Sequence, residues 1–340
     1  RSGKTLFAAG FGLIALLTVL SSVLELQSGS ADPAGIFGFI REILNQHFSF
    51  LAGWSFLLGT SAVTAALTLE FIRQLQIIIP ILPSESMLVP LTLLTVLVLL
   101  ELIPNSPLRR IHWALLVALI AGTLLLVGQA WFTFEPERVF TPGRVDMTTT
   151  MHIAAMMVIF IVPFEQLLNS NSLRSSRSPL RPLLLLGGAL LLISIAGFAI
   201  TTRVHTQLQV GGIPLTSILA EHTGSPLLAT IIPLLVIIFG LHNAVMTNAH
   251  QLNRLCRAGL LPDMLRRFRK PFDMPVPLFV SILLLALPWF AIQDTDLVLA
   301  SGSGLISLSL ILLTPAVMLS RITAPDRTRS SATPLFPLIP

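Results

Sequence analysis

Residues 146–181 read DMTTTMHIAAMMVIFIVPFEQLLNSNSLRSSRSPLR, and the fold turns on what this stretch is taken to be. It starts as an apolar helix of membrane type, meets Pro163 followed by Phe164 and Glu165, then becomes polar without an evident loop. A proline removes a backbone donor and clashes with the carbonyl four residues back, so in lipid the freed groups must face protein, water or a ligand. A carboxylate two residues later is hard to justify as lipid-facing. Interrupted helices of this kind expose backbone polar groups to a substrate at mid-membrane. The plainer alternative is a proline-kinked helix with Glu165 about 28 Å from Asp146, at the far water interface.

Composition supports a bilayer setting. Hydrophobic residues make up 54% of the 340 residues and charged residues 11%, with a mean hydropathy of +0.85. These values fit an all-α polytopic membrane protein and exclude an ordinary soluble domain. The net charge of +5 resides in short segments between apolar runs, where it sets orientation rather than binding nucleic acid. A lone Cys256 excludes an intrachain disulfide and a thiolate metal cluster. No cofactor or metal site is expected, and no cleavable signal peptide is visible.

Working outward, nine crossings are expected, near residues 6–26, 50–79, 87–103, 113–131, 146–165, 183–202, 226–257, 277–292 and 296–320. A short amphipathic piece around 37–47 precedes the second. Trp113 and Trp131, 18 residues apart, mark both interfaces of one span at about 27 Å. The segment after 257, RLCRAGLLPDMLRRFRKPF in full, is expected to lie along the membrane surface. With the first residues outside, 15 of the 21 Lys and Arg fall on inner segments. That bias gives a cytoplasmic C-terminus, one transmembrane domain over 1–320 and a cytoplasmic linker over 321–340.

Several local patterns then match one family in order. GLIALLTVLSSVLEL followed by PAGIFGFIREILNQHFSFLAGW resembles the second helix, linker and third helix of the amino acid/polyamine/organocation permeases. VIFIVPFEQ resembles their broken sixth helix, LHNAVMTNAHQLNRLCRAGLLPDML the eighth, and SGSGLISLSLILLTPAVML the tenth. TAPDRTRSSATPLFPLIP resembles the linker that follows. The resemblance implies a LeuT-like five-plus-five inverted repeat, incomplete here, with the family's first and last two helices outside the chain. It further implies a secondary transporter of amino acids or related amines in the cytoplasmic (inner) membrane. Protons or a counter-substrate are the implied coupling partners.

By that resemblance, unwound backbone at Phe160, Ile161, Val162 and Pro163, with Phe164 beside it, would meet the substrate's amino group. Glu165 falls where several members place an acidic residue, a candidate for proton coupling. Pro163 stands at the family's usual glycine. On the span at 226–257, His242 and Asn243 lie deepest, as candidates for lining the pathway or for interhelical hydrogen bonding. Asn248 to Gln251 read as inner-vestibule surface, Thr60, Ser61 and Thr64 as pore-facing, and Trp54 as an interfacial anchor. The run Ser301-Gly302-Ser303-Gly304 fits close helix packing or approach to the site.

No HExxH, P-loop, Gly-x-Ser-x-Gly or pair of carboxylates within one apolar span is present, so no enzyme chemistry is expected. Two other readings stand beside the transporter: a permease-like nutrient sensor or receptor subunit, and a non-transporting membrane fragment or scaffold.

Overall fold

The computed structural model describes residues 36–79, 87–102, 226–266 and 276–323. They form six α-helices: α1 Ile36–Ile43, α2 Gln46–Ile78, α3 Leu88–Leu102, α4 Pro226–Arg257, α5 Val276–Ile292 and α6 Thr295–Thr323. A one-turn 3-10 helix covers Asp263–Arg266, and the described residues contain no strand. Helices α2 to α6 correspond to five of the expected crossings. The expected spans near 6–26, 113–131, 146–165 and 183–202 lie outside the described residues, as does all of 146–181.

The helix ends follow from local chemistry. Asn45, in extended conformation, caps α2 by accepting the Phe48 N–H at its side-chain oxygen, 3.0 Å away. This cap starts the helix four residues earlier than apolar content alone suggests. At the other end of the bundle order, α4 stops in a Schellman turn. Gly259 takes φ +71, its N–H donates to the Cys256 carbonyl, and the Leu260 N–H reaches back to Leu255. Only glycine enters that left-handed conformation without a steric penalty. Between α5 and α6, Asp294 caps the new helix by accepting the N–H groups of Asp296 and Leu297.

Helix α2 is the axis of the described bundle. It packs against α1, α3, α4, α5 and α6, and 72% of its most apolar window is buried, against 33% for α6. Both are long and apolar enough to cross a membrane, while α3 and α5 are shorter apolar helices. Outward-facing positions are apolar too: Leu99 on α3, Leu284 on α5 and Ile311 on α6 are all exposed. That inversion suits lipid, which cannot satisfy exposed backbone or side-chain polar groups.

Without a hydrophobic drive between helices in lipid, close packing must come from small residues. Along α2 these are Gly53, Gly59, Ala62, Ala65 and Ala66. Helix α6 runs antiparallel to α2, with Ser309 donating to the Ala52 carbonyl at 2.8 Å. At their tightest point a Cβ on Gly59 would stand 2.8 Å from the Gly302 carbonyl oxygen and 2.7 Å from an Ile306 side-chain carbon. Of the two readings for the small-residue run on α6, packing is what Gly302 does. Gly304, two residues on, has open space at the same position.

Because the neighbour of Gly59 is backbone and cannot rotate away, Gly59→Ala is expected to cost about 1–3 kcal/mol through overpacking. Gly304→Ala should be neutral or slightly stabilising through helix propensity. Thermal unfolding in detergent checks the pair: G59A lowers the midpoint and G304A does not.

Candidate functional site

The α2–α4 interface is antiparallel and carries a polar stitch at its centre. Asn248 on α4 accepts the Thr60 hydroxyl at 2.5 Å and donates to the Thr64 hydroxyl oxygen at 2.9 Å. Thr64 in turn donates to the Thr60 carbonyl at 2.9 Å, closing the circuit. This arrangement fixes the orientation of the Asn248 amide, oxygen toward Thr60 and nitrogen toward Thr64. Ser61 and Thr68 return their hydroxyls to carbonyls of α2 itself, at Leu57 and Thr64. Thr60, Ser61 and Thr64 are therefore committed within the bundle, each fully buried.

Asn248 and Gln251 are also fully buried, which corrects the expectation of an inner-vestibule surface. The reason is the length of the α2–α4 contact: Leu255, a further turn along α4, still packs over Gly53. Helical periodicity groups these residues on one face but says nothing about what covers it. Neither amide atom of Gln251 has a hydrogen-bond partner among the described residues. The Trp54 indole nitrogen is buried as well, with its ring 5.9 Å from Phe50, so this tryptophan does not present its N–H to a headgroup region.

A second polar contact lies at the middle of α4. His242 stands 16 residues after Pro226 and 15 before Arg257, about 24 and 22 Å from the two ends. Its Nδ1 lies 2.5 Å from Oε1 of Glu101 on α3, with 7% of the histidine and 1% of the glutamate exposed. Asn243, also buried, donates to the Phe239 carbonyl one turn back in α4, at 2.8 Å. Of the two roles open to His242, the interhelical bond is present. Glu101 is the partner that sequence reading passed over. Its signal was a single carboxylate in LVPLTLLTVLVLLEL, where an ionised side chain costs about 2.5–3.5 kcal/mol at mid-membrane.

At the inner ends, Arg41 of α1 donates through Nη1 to the Ala258 carbonyl, 2.6 Å away, just beyond α4. A cation there meets the negative end of the α4 dipole and satisfies a carbonyl the helix leaves free. The same joint is held by Ser49, which donates to the Phe37 carbonyl at 2.7 Å, and by an edge-on contact of Phe37 with Phe56. Leu260, Leu261 and Leu265 pack on the core there, so the start of the basic segment after α4 is anchored by apolar contacts. The expected site residues Phe160, Ile161, Val162, Pro163, Phe164 and Glu165 lie outside the described residues.

Comparison with known proteins bears on the second half of the chain. The family model described as Amino acid permease matches residues 182–340, which include α4, α5 and α6. No curated protein matches the chain.

Two substitutions probe the polar interior. Thr60→Val removes the donor to Asn248 and is expected to cost about 1–3 kcal/mol by orphaning a buried acceptor. A double-mutant cycle with Asn248→Leu should return a coupling energy above about 0.5 kcal/mol. Gln251→Met, which replaces an unbonded buried amide by an apolar side chain of similar volume, should leave stability unchanged or raise it by about 1–3 kcal/mol. Unfolding midpoints of the purified variants decide both.

Proposed function

We propose, from the premise that the chain is an amino acid permease of the amino acid/polyamine/organocation superfamily, that it moves its substrate by alternating access without ATP. The single observation that carries this reading is the family match over residues 182–340. A permease of this family is a multi-pass membrane protein whose substrate is a small amino acid or amine. The finer reading is a secondary transporter in the cytoplasmic membrane, with its C-terminus on the cytoplasmic side.

The packing of the described helices supports that assignment. By order along the chain, α2 and α3 stand at the third and fourth family positions, α4 and α5 at the eighth and ninth. In a five-plus-five inverted repeat those are symmetry-related pairs, and the antiparallel contact of α2 with α4 is what such a relation would produce. Arg41 and Ala258 meet at one end of the bundle, and charge asymmetry assigns both segments to the inner side. The LeuT-like architecture of nine crossings over residues 1–320 is part of the same proposal, as is the cytoplasmic linker at 321–340.

The substrate's amino group would be held by carbonyls of Phe160, Ile161, Val162 and Pro163, with Phe164 beside them, where helix-end dipoles favour a cation. His242 and Asn243 lie at the depth on α4 that a substrate would occupy. The apolar character of Ile159, Phe160, Ile161 and Phe164 favours a hydrophobic amino acid over a charged one. Glu165 is the acid proposed to couple a proton to translocation.

Uptake of radiolabelled amino acids into proteoliposomes holding the full-length protein tests this. Saturable uptake of at least one hydrophobic amino acid without ATP is expected. Glu165→Gln should reduce accumulation driven by a proton gradient by about tenfold while leaving exchange between equal internal and external pools within about threefold. Absence of uptake for all twenty amino acids, in either mode, overturns the reading.

A further inference from the structure

Helices α3 and α4 pack on α2 and α5 rather than on each other. The bond between Glu101 Oε1 and His242 Nδ1 is thus a side-chain bridge across two elements that otherwise scarcely touch. It joins the one charged residue of α3 to the most central titratable residue of α4. If the requirement were only to link two helices, a hydroxyl or amide would do so without placing an ionisable group in the bilayer interior. An acid and an imidazole in contact add a property that neutral groups lack. They exchange one proton with their surroundings.

We propose that Glu101 and His242 form a proton-binding site at mid-membrane, additional to Glu165. Without the proton, a carboxylate faces a neutral imidazole and the pair carries one negative charge. With it, the pair is carboxylate and imidazolium, or carboxylic acid and imidazole, and is neutral in either form. The bridge is strongest when the imidazolium donates to the carboxylate, so proton occupancy sets how firmly α3 and α4 are held together.

The surroundings leave this pair electrostatically alone. Helix α5, packed against both, carries no titratable residue, and α3 carries no other. On α2 the titratable groups are His47 at its start and Glu70 and Arg73 further along, with Glu70 accepting from Arg73 and Gln74. On α4 itself, His250, Arg254, Cys256 and Arg257 follow at two turns or more toward the inner end. The 3-10 turn adds Asp263 and Arg266 beyond that end. Among the described residues, then, no second acid or base adjoins the pair along its own helices.

The link from this site to transport rests on the permease reading, but proton binding can be measured without it. The full-length protein, labelled with 15N-histidine, is titrated with protons alone from about pH 5 to about pH 9. The His242 signals are assigned by their loss in His242→Gln, and the Glu101 carboxyl band in the infrared by its loss in Glu101→Gln. In the native protein both signals are expected to move through one shared transition. Glu101→Gln keeps an acceptor for the bridge and should preserve the unfolding midpoint, yet lower the proton affinity of His242 about tenfold or more through loss of the facing negative charge. Glu101→Asp should restore the shared transition.

His242 signals that stay constant across the range, or a transition unmoved by Glu101→Gln, overturn the proposal and leave a purely structural bridge. If Glu101→Gln fails to fold, the native titration and Glu101→Asp decide alone. Exchange of L-leucine in proteoliposomes gives the second readout. Should the pair titrate as expected while the native protein exchanges no amino acid, the proton site stands and the permease function fails. If exchange proceeds with the same pH profile in native protein and His242→Gln, the site is not coupled to transport.

Discussion

The described structure depends on how closely other helices can approach α2. In a soluble protein, burial of apolar side chains would drive that association. In lipid the driving force is dispersion and hydrogen bonding, both of which fall away steeply with distance. Gly59 and Gly302 bring two backbones within contact, and Gly53 opens the opposite region to Leu255. The hydroxyls of Ser61, Thr64 and Thr68 return to their own helix carbonyls, so α2 can be polar in composition without exposing polarity to its neighbours. A helix built in this way can be surrounded.

From that constraint follows the division of labour among its partners. Helix α6 is held by shape, through glycine and alanine contacts and one serine bond to Ala52. Helix α4 is held by shape at its ends and by the Thr60–Asn248–Thr64 circuit at its centre. The α3–α4 relation is different in kind, resting on an acid and an imidazole rather than on packing. Contacts made by shape persist whatever the protonation state, whereas an ionisable bridge changes strength with it. A transporter needs both kinds, since some helices must move together while others change partners.

Sequence reading was most successful where local chemistry is self-sufficient. Pro226 at the first turn and Gly259 after the last bracket α4, and both of its ends were legible. The start of α2 was less so, because HFSF has no apolar periodicity of its own and the decisive signal was the Asn45 cap. The sides of helices were harder still. Asn248 and Gln251 look like vestibule residues by polarity, and only the continued run of α4 along α2 buries them. Glu101 was overlooked because the search was for two carboxylates within one span, and its true partner is 141 positions away on another helix. Long-range pairing of single polar residues leaves no trace in a local window. The proposed substrate residues Phe160 to Glu165 rest on their resemblance to a broken family helix, supported by the family match further along the chain.

The central claim is that this bundle belongs to a permease with an amino acid site. The most direct measurement is a ligand screen by thermal unfolding of the detergent-purified full-length protein, against the twenty amino acids and common polyamines. A ligand that binds only the folded state raises stability by an amount that grows with its concentration over its dissociation constant, about 2.7 kcal/mol at one hundredfold excess. The account predicts that a small set of hydrophobic amino acids raises the midpoint in a saturable manner. A midpoint unmoved by every amino acid and polyamine would contradict it.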